Sequence, residues 1–149
     1  MEYEVFVERV EPHQLAAARG SVTSHDALGP LIISLLDNVW PLLREQGVKT
    51  GHNVVVYFGG SPLQLAAGVQ VFEPFHSSGV VQPLSTPAGE VATTAHWGDY
   101  SQMHGAYAAL ERWCAANHRK VAGVTWEVYG DWHDDPAQVR TNVYFLLQA

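Results

Sequence analysis

The chain repeats itself weakly, and that repeat limits the folds open to it more than any other feature. Gly20 and Gly98 each close a short segment led in by a proline, Pro12 or Pro87, and each precedes a helix-like stretch. They lie 78 residues apart, close to the 71 that separate Gly59 and Gly130, each of which ends a β-branched or aromatic run. Two β-α-β-β units in tandem satisfy both spacings. Units of this kind bury their helices against a sheet. We therefore expect an α+β fold in which the two units form one curved, antiparallel-rich sheet with both helices on one face. A single domain would span residues 1–149, with halves at about 1–75 and 85–149.

The elements follow from local pattern. Tyr3–Arg9 alternates like a strand at a chain end. Gln14–Val22 (QLAAARGSV) reads as helix or strand by itself, and the repeat assigns it to strand. Gly29-Pro30 opens a helix, since proline is tolerated in a first turn. Leu31, Ile32, Leu35, Leu36, Val39, Trp40 and Leu43 continue it at helical spacing, and Gly47 ends it. Pro41, inside that pattern, predicts a kink or break near Asn38. Asn53–Phe58 and Leu65–Phe72 form a hairpin around Gly59-Gly60, and Glu73–Pro87, with its prolines and serines, reads as a long loop. Glu90–Trp97 is a Thr-rich strand. Ser101–Asn117 is a second helix with Met103, Tyr107, Leu110, Trp113 and Cys114 on one stripe. Two strands around a Gly/Asp/Pro turn fill Gly123–Leu147.

Composition narrows the function. Fifteen acidic residues against 8 Lys plus Arg give a formal net charge of −7. That opposes a nucleic-acid backbone as partner, which needs a cationic footprint, and is compatible with cationic ligands. The single cysteine, Cys114, cannot form an internal disulfide, which fits a reducing compartment. No signal peptide and no apolar run of about 18 residues is evident. The expectation is a cytoplasmic protein that uses no membrane and no nucleic acid directly.

Chemistry centres on Glu127, a lone carboxylate among Trp126, Tyr129 and Trp132. On a strand, Thr125, Glu127 and Tyr129 share one face and Trp126 and Val128 the other. On the residues alone, Glu127 is a solvent-facing edge glutamate, one hydrogen-bonded to a nearby tyrosine, or a ligand-facing acid in a cleft. Tyr57, Trp97, Tyr129 and Tyr144 fall on strands that face or adjoin that cleft, where aromatic faces beside a carboxylate suit flat organic cations. Parity leaves open whether Tyr57 or Phe58 points inward. Trp40, Trp113 and Cys114 read as core. The eight histidines show no metal-ligand spacing, and no phosphate loop is present, so neither metal nor cofactor is implied. Arg140 is expected to pair with Asp131, Asp134 or Asp135.

Three segments carry a family resemblance. They are the Pro12…Gly20 lead-in, Thr86–Tyr100 (TPAGEVATTAHWGDY), and Trp126–Leu147 (WEVYGDWHDDP…RTNVYFLL). The chain resembles the GyrI-like small-molecule-binding domains, which also form the effector-binding halves of multidrug-responsive regulators. Family members place a glutamate on this strand nine residues before a turn proline, and Glu127 and Pro136 keep that spacing. The resemblance implies a tandem β-α-β-β fold with an aromatic-walled pocket between the halves, in which Glu127 is the charge partner of lipophilic cations and Tyr129 lines the same wall; with the aromatics of the strand reading, the expected ligand-binding residues are Glu127, Tyr129, Tyr57, Trp97, Trp126 and Tyr144. No helix-turn-helix region precedes the domain in this sequence, and WEVYGDW looks most like the stand-alone branch. Some stand-alone members resemble hydrolases that open cyclopropane rings of DNA-alkylating compounds, which would make Glu127 catalytic. Others are thought to protect gyrase, which would make a protein the partner.

Overall fold

Small side chains decide how the first repeat folds. Ala16 and Ala18 are fully buried, and a Cβ added at Gly20 would sit 3.1 Å from the Leu31 methyls. A strand of alanine and glycine lets a helix lie close to the sheet, and that packing overrides alanine's helical preference. The chain is a computed structural model that describes residues 2–149. It contains strands β1 (Phe6–Val10), β2 (Gln14–Val22), β3 (Thr50–Gly59), β4 (Leu63–Val71), β5 (Gln82–Ser85), β6 (Gly89–Trp97), β7 (Val121–Tyr129) and β8 (Arg140–Leu147). Helices are α1 (Leu28–Gln46) and α2 (His104–Ala116). The class is α+β, and every pairing described below is antiparallel.

Two compact units emerge. The first is Pro12–Thr86, and the second joins residues 2–11 to Pro87–Ala149. In the first, β2-α1-β3-β4 is one repeat, with strands in the order β3-β4-β2-β5. In the second, β6-α2-β7-β8 is the other repeat, in the order β1-β6-β8-β7. The fourth strand of each unit comes from outside its repeat. β1 precedes the first repeat in the chain yet pairs with β6, and β5 precedes the second yet pairs with β2. The compact units therefore part between Glu11 and Pro12 and again between Thr86 and Pro87.

Three expectations change. Glu73–Pro87 is not simply a loop, because β5 adds to β2 with Pro83 opposite Ala16. Proline is tolerated there because β5 uses only one ladder edge in this unit. α1 runs unbroken through Pro41 rather than stopping near Asn38. Both Pro41 and Asp37, whose carbonyl loses its helical partner, are on the exposed side, where water can substitute. Its end is as expected: Gly47 is left-handed (φ 64), and Val48 N–H reaches the Leu43 carbonyl.

α1 with the turn before it, His25–Gln46, is the one helical stretch among the described residues long and apolar enough to cross a membrane by length and composition. Part of that apolar surface packs on the sheet: Leu35, Val39 and Leu43 are buried, and Trp40 Nε1 donates to Asn53 Oδ1 on β3 at 2.9 Å, while Ile33 is exposed. In the second unit, Met103, just before α2, and Ala106, Leu110 and Cys114 of α2 pack on Ala92, Val143, Phe145 and Leu147. Each fully buried side chain of leucine or valine size contributes about 1.5–3 kcal/mol there. That core fixes which face of the β6-β8-β7 sheet lies under α2.

Candidate functional site

Register carries the α2-covered face from β8 to its neighbours. Val143 is in the core under α2, and its cross-strand partner on β7 is Glu127. Phe145 faces Thr125, and Thr141 faces Tyr129. The expected face of Thr125, Glu127 and Tyr129 is thus the face under the helix. Glu127 is 6% exposed, so its carboxylate is removed from bulk water.

Burying a carboxylate requires hydrogen bonds in place of hydration. Two tyrosines supply them. The Tyr107 hydroxyl, on α2, donates to Glu127 Oε2, and the Tyr129 hydroxyl donates to Oε1. Tyr100 stands edge-on to the Tyr129 ring, with centroids 5.4 Å apart, and burial raises the Tyr100 phenol above its ordinary value. The Tyr107 ring also rests on Phe145, at 5.8 Å. One acid is therefore held by two phenol hydroxyls, which favour its charge, beside ring faces of the kind that favour a cation.

Beside this acid the sheet stays polar. His96 of β6 lies opposite Thr141 of β8, which lies opposite Tyr129 of β7, so the three form one row across the sheet. His96 is fully buried. Its Nε2 lies 2.8 Å from the Asp99 carbonyl, and its Nδ1 lies 2.8 Å from the Tyr3 hydroxyl. A carbonyl only accepts, so Nε2 carries hydrogen and, in the neutral ring, Nδ1 accepts from Tyr3. Both ring nitrogens are therefore committed, and His96 is a structural pin for the N-terminal segment. Among the described residues no three His, Cys, Asp or Glu side chains gather as a metal site requires.

The other expected residues lie elsewhere. Trp126 and Tyr144 are cross-strand partners on the face opposite Glu127. They stack at 5.2 Å and 11°, and Trp126 is 2% exposed. Burial pushes the Tyr144 phenol up. Trp97 is on that same opposite face, paired with Arg140, whose guanidinium lies 5.4 Å from its ring centroid. Arg140 Nε donates to Asn142 Oδ1 on its own strand at 2.9 Å. Asp135 caps the turn after it, accepting from Ala137 N–H.

Tyr57 belongs to the first unit. It faces Leu65, on the side of β3 that carries Asn53 toward Trp40. Phe58 turns the other way, beneath the Arg19 guanidinium at 4.9 Å. Regular pairing from Asn53 to Tyr57 sets this, and the register irregularity comes only after Tyr57. The carboxylate partner that sequence reasoning missed is Tyr107. Its one signal was a polar tip within an otherwise apolar helix stripe.

No protein-family model matches the chain, and no curated protein matches it. Solved structures do share its fold. The EcmrR C-terminal domain superposes with a TM-score of 0.76 over 99% of this chain and 99% of that one, at 19% identity. A hydrolase encoded by lin2189 from Listeria innocua gives 0.65 over 97% of this chain and 92% of its own, at 9% identity. SAV2435, solved bound to tetraphenylphosphonium, gives 0.65 over 100% of this chain and 95% of its own, at 9% identity. Likeness at these identities establishes the fold, and it is the GyrI-like α+β arrangement.

Proposed function

We propose that this chain is a binding protein for lipophilic aromatic cations, and that Glu127 is the residue they meet. The observation that carries this reading is the buried Glu127 carboxylate held by the Tyr107 and Tyr129 hydroxyls. Two neutral donors spread a negative charge without cancelling it, and a partly desolvated cation gains from both the charge and the phenol faces. A cation over such a ring gains about 0.5–2 kcal/mol per contact. Tyr129, Tyr107 and Tyr100 are the aromatic wall in this reading. Trp126 and Tyr144 contribute by supporting the opposite face of β7 and β8, and Trp97 that of β6.

Two further observations support the ligand class. SAV2435, which shares the fold, was solved with tetraphenylphosphonium, a lipophilic cation. The net charge of −7 also favours cations and opposes direct contact with nucleic acid. We place the protein in the cytoplasm, where a lone buried cysteine stays reduced. Hydrolysis of an electrophilic ligand is the second reading, prompted by the Listeria innocua hydrolase of the same fold. It would make Glu127 a general base toward water, a role its two tyrosine contacts leave room for, since each carboxylate oxygen keeps a second lone pair; binding is the first reading because SAV2435, of the same fold, was solved with a lipophilic cation. Titrating tetraphenylphosphonium while following tryptophan fluorescence tests the proposal, and absence of saturable binding contradicts it.

A further inference from the structure

The row His96–Thr141–Tyr129 contains one group that the protein leaves unused. His96 gives both nitrogens to Tyr3 and Asp99, and Tyr129 gives its hydroxyl to Glu127. Thr141 is fully buried, and its Oγ1 has no hydrogen-bond partner among the described residues. A buried hydroxyl without a partner is costly, and valine would fill the same volume without that cost. The rest of the face under α2 is apolar where it can be: Ala92, Val143, Phe145 and Leu147. The buried polar residues of this face, Thr94, His96, Glu127 and Thr141, gather toward the end of the sheet that holds Glu127, and Thr141 is one residue pair from the Glu127–Val143 pair on the same face.

We propose that Thr141 is a specificity-determining residue of the Glu127 site, hydrogen-bonding a hydroxyl, amine or carbonyl that a bound aromatic cation carries beside its charge. The inference rests on the proposed function and sharpens its ligand class. Glu127 answers the charge, which every lipophilic cation has. Thr141 answers a polar atom, which only some have. A site built to hydrogen-bond a polar atom discriminates against ligands that lack it, because its own group is then left unpaired. His96 cannot take this role in its place, since both of its nitrogens are occupied.

The test compares two probes on the wild-type chain, Thr141→Val and Thr141→Ser. Tetraphenylphosphonium has no hydrogen-bonding atom, whereas rhodamine 6G is a planar cation with amine N–H groups and an ester carbonyl. Thr141→Val is expected to weaken rhodamine 6G roughly fivefold or more and to leave tetraphenylphosphonium unchanged. Thr141→Ser, which keeps the hydroxyl, should retain most of the rhodamine affinity. The Val variant should melt at or above the wild-type temperature, because no internal hydrogen bond is lost. Equal weakening of both probes, no change in either, or a lower melting temperature in Thr141→Val would overturn the inference while leaving Glu127's role standing. If the wild-type chain binds neither probe, the proposed function fails and this inference fails with it.

Discussion

Tyr107 of α2 donates its hydroxyl to Glu127 of β7, joining the helix to the strand beneath it through a buried charge. The contact does two things at once. It pins α2 to the sheet at its polar end, where the apolar core of Leu110 and Phe145 gives way to tyrosines, and it stabilises an acid that would otherwise be expensive to bury.

Removing either hydroxyl therefore costs stability. Tyr107→Phe and Tyr129→Phe should each lower the unfolding free energy by about 1.5–3 kcal/mol, the range for hydrogen bonds to charged groups. The double variant should lose more than the sum, because the remaining hydroxyl is the more needed once the other is gone. Urea denaturation of the four chains checks this. Additive losses below about half a kcal/mol would mean that the carboxylate is served by water.

Cys114 should be chemically quiet. It is buried in the α2 core, and burial raises its thiol above its ordinary value; Arg119 lowers it and Glu111 raises it, each by less. The thiolate is the reactive form. Disulfide-exchange labelling should be slow in the native protein and fast in denaturant, and comparable rates in both would place the thiol at the surface.

Alkaline pH should weaken the fold through its phenols. Burial holds Tyr144 above the ordinary tyrosine value of 10.0; its Asn142 hydrogen bond and Arg140 oppose this, and Glu8 adds to it. Tyr3 and Tyr100 are raised by burial as well. The unfolded chain then releases these protons first. Their contribution is complete below the unfolded value near 10.0 and is lost as pH rises above it. Unfolding midpoints followed alongside tyrosinate absorbance should fall through that range, less steeply in Tyr144→Phe. A flat profile would contradict the assignment.

Much of this fold was legible because the repeat disciplined local ambiguity. Gln14–Val22 is a strand with the expected bounds although its alanines favour helix. Strand alternation placed Glu127 and Tyr129 together. Three things were hidden, each for a physical reason. Tyr107 reaches Glu127 by helix-on-sheet packing, which no spacing within β7 encodes. Trp126 and Tyr144 share a face with each other and not with the acid, because cross-strand register decides what period alone leaves open for β8. The strands β1 and β5 each complete the other repeat's unit, a long-range pairing invisible to local pattern.

The central claim is that the charge of Glu127 holds the ligand, and Glu127→Gln tests it most directly, since it removes the charge and nearly preserves the shape. Tetraphenylphosphonium should be titrated into both chains, with thermal melting confirming that the variant is folded. The account predicts that the glutamine variant binds about tenfold more weakly or worse, the size of a partly desolvated charge contact. Equal affinity in the two chains would contradict it.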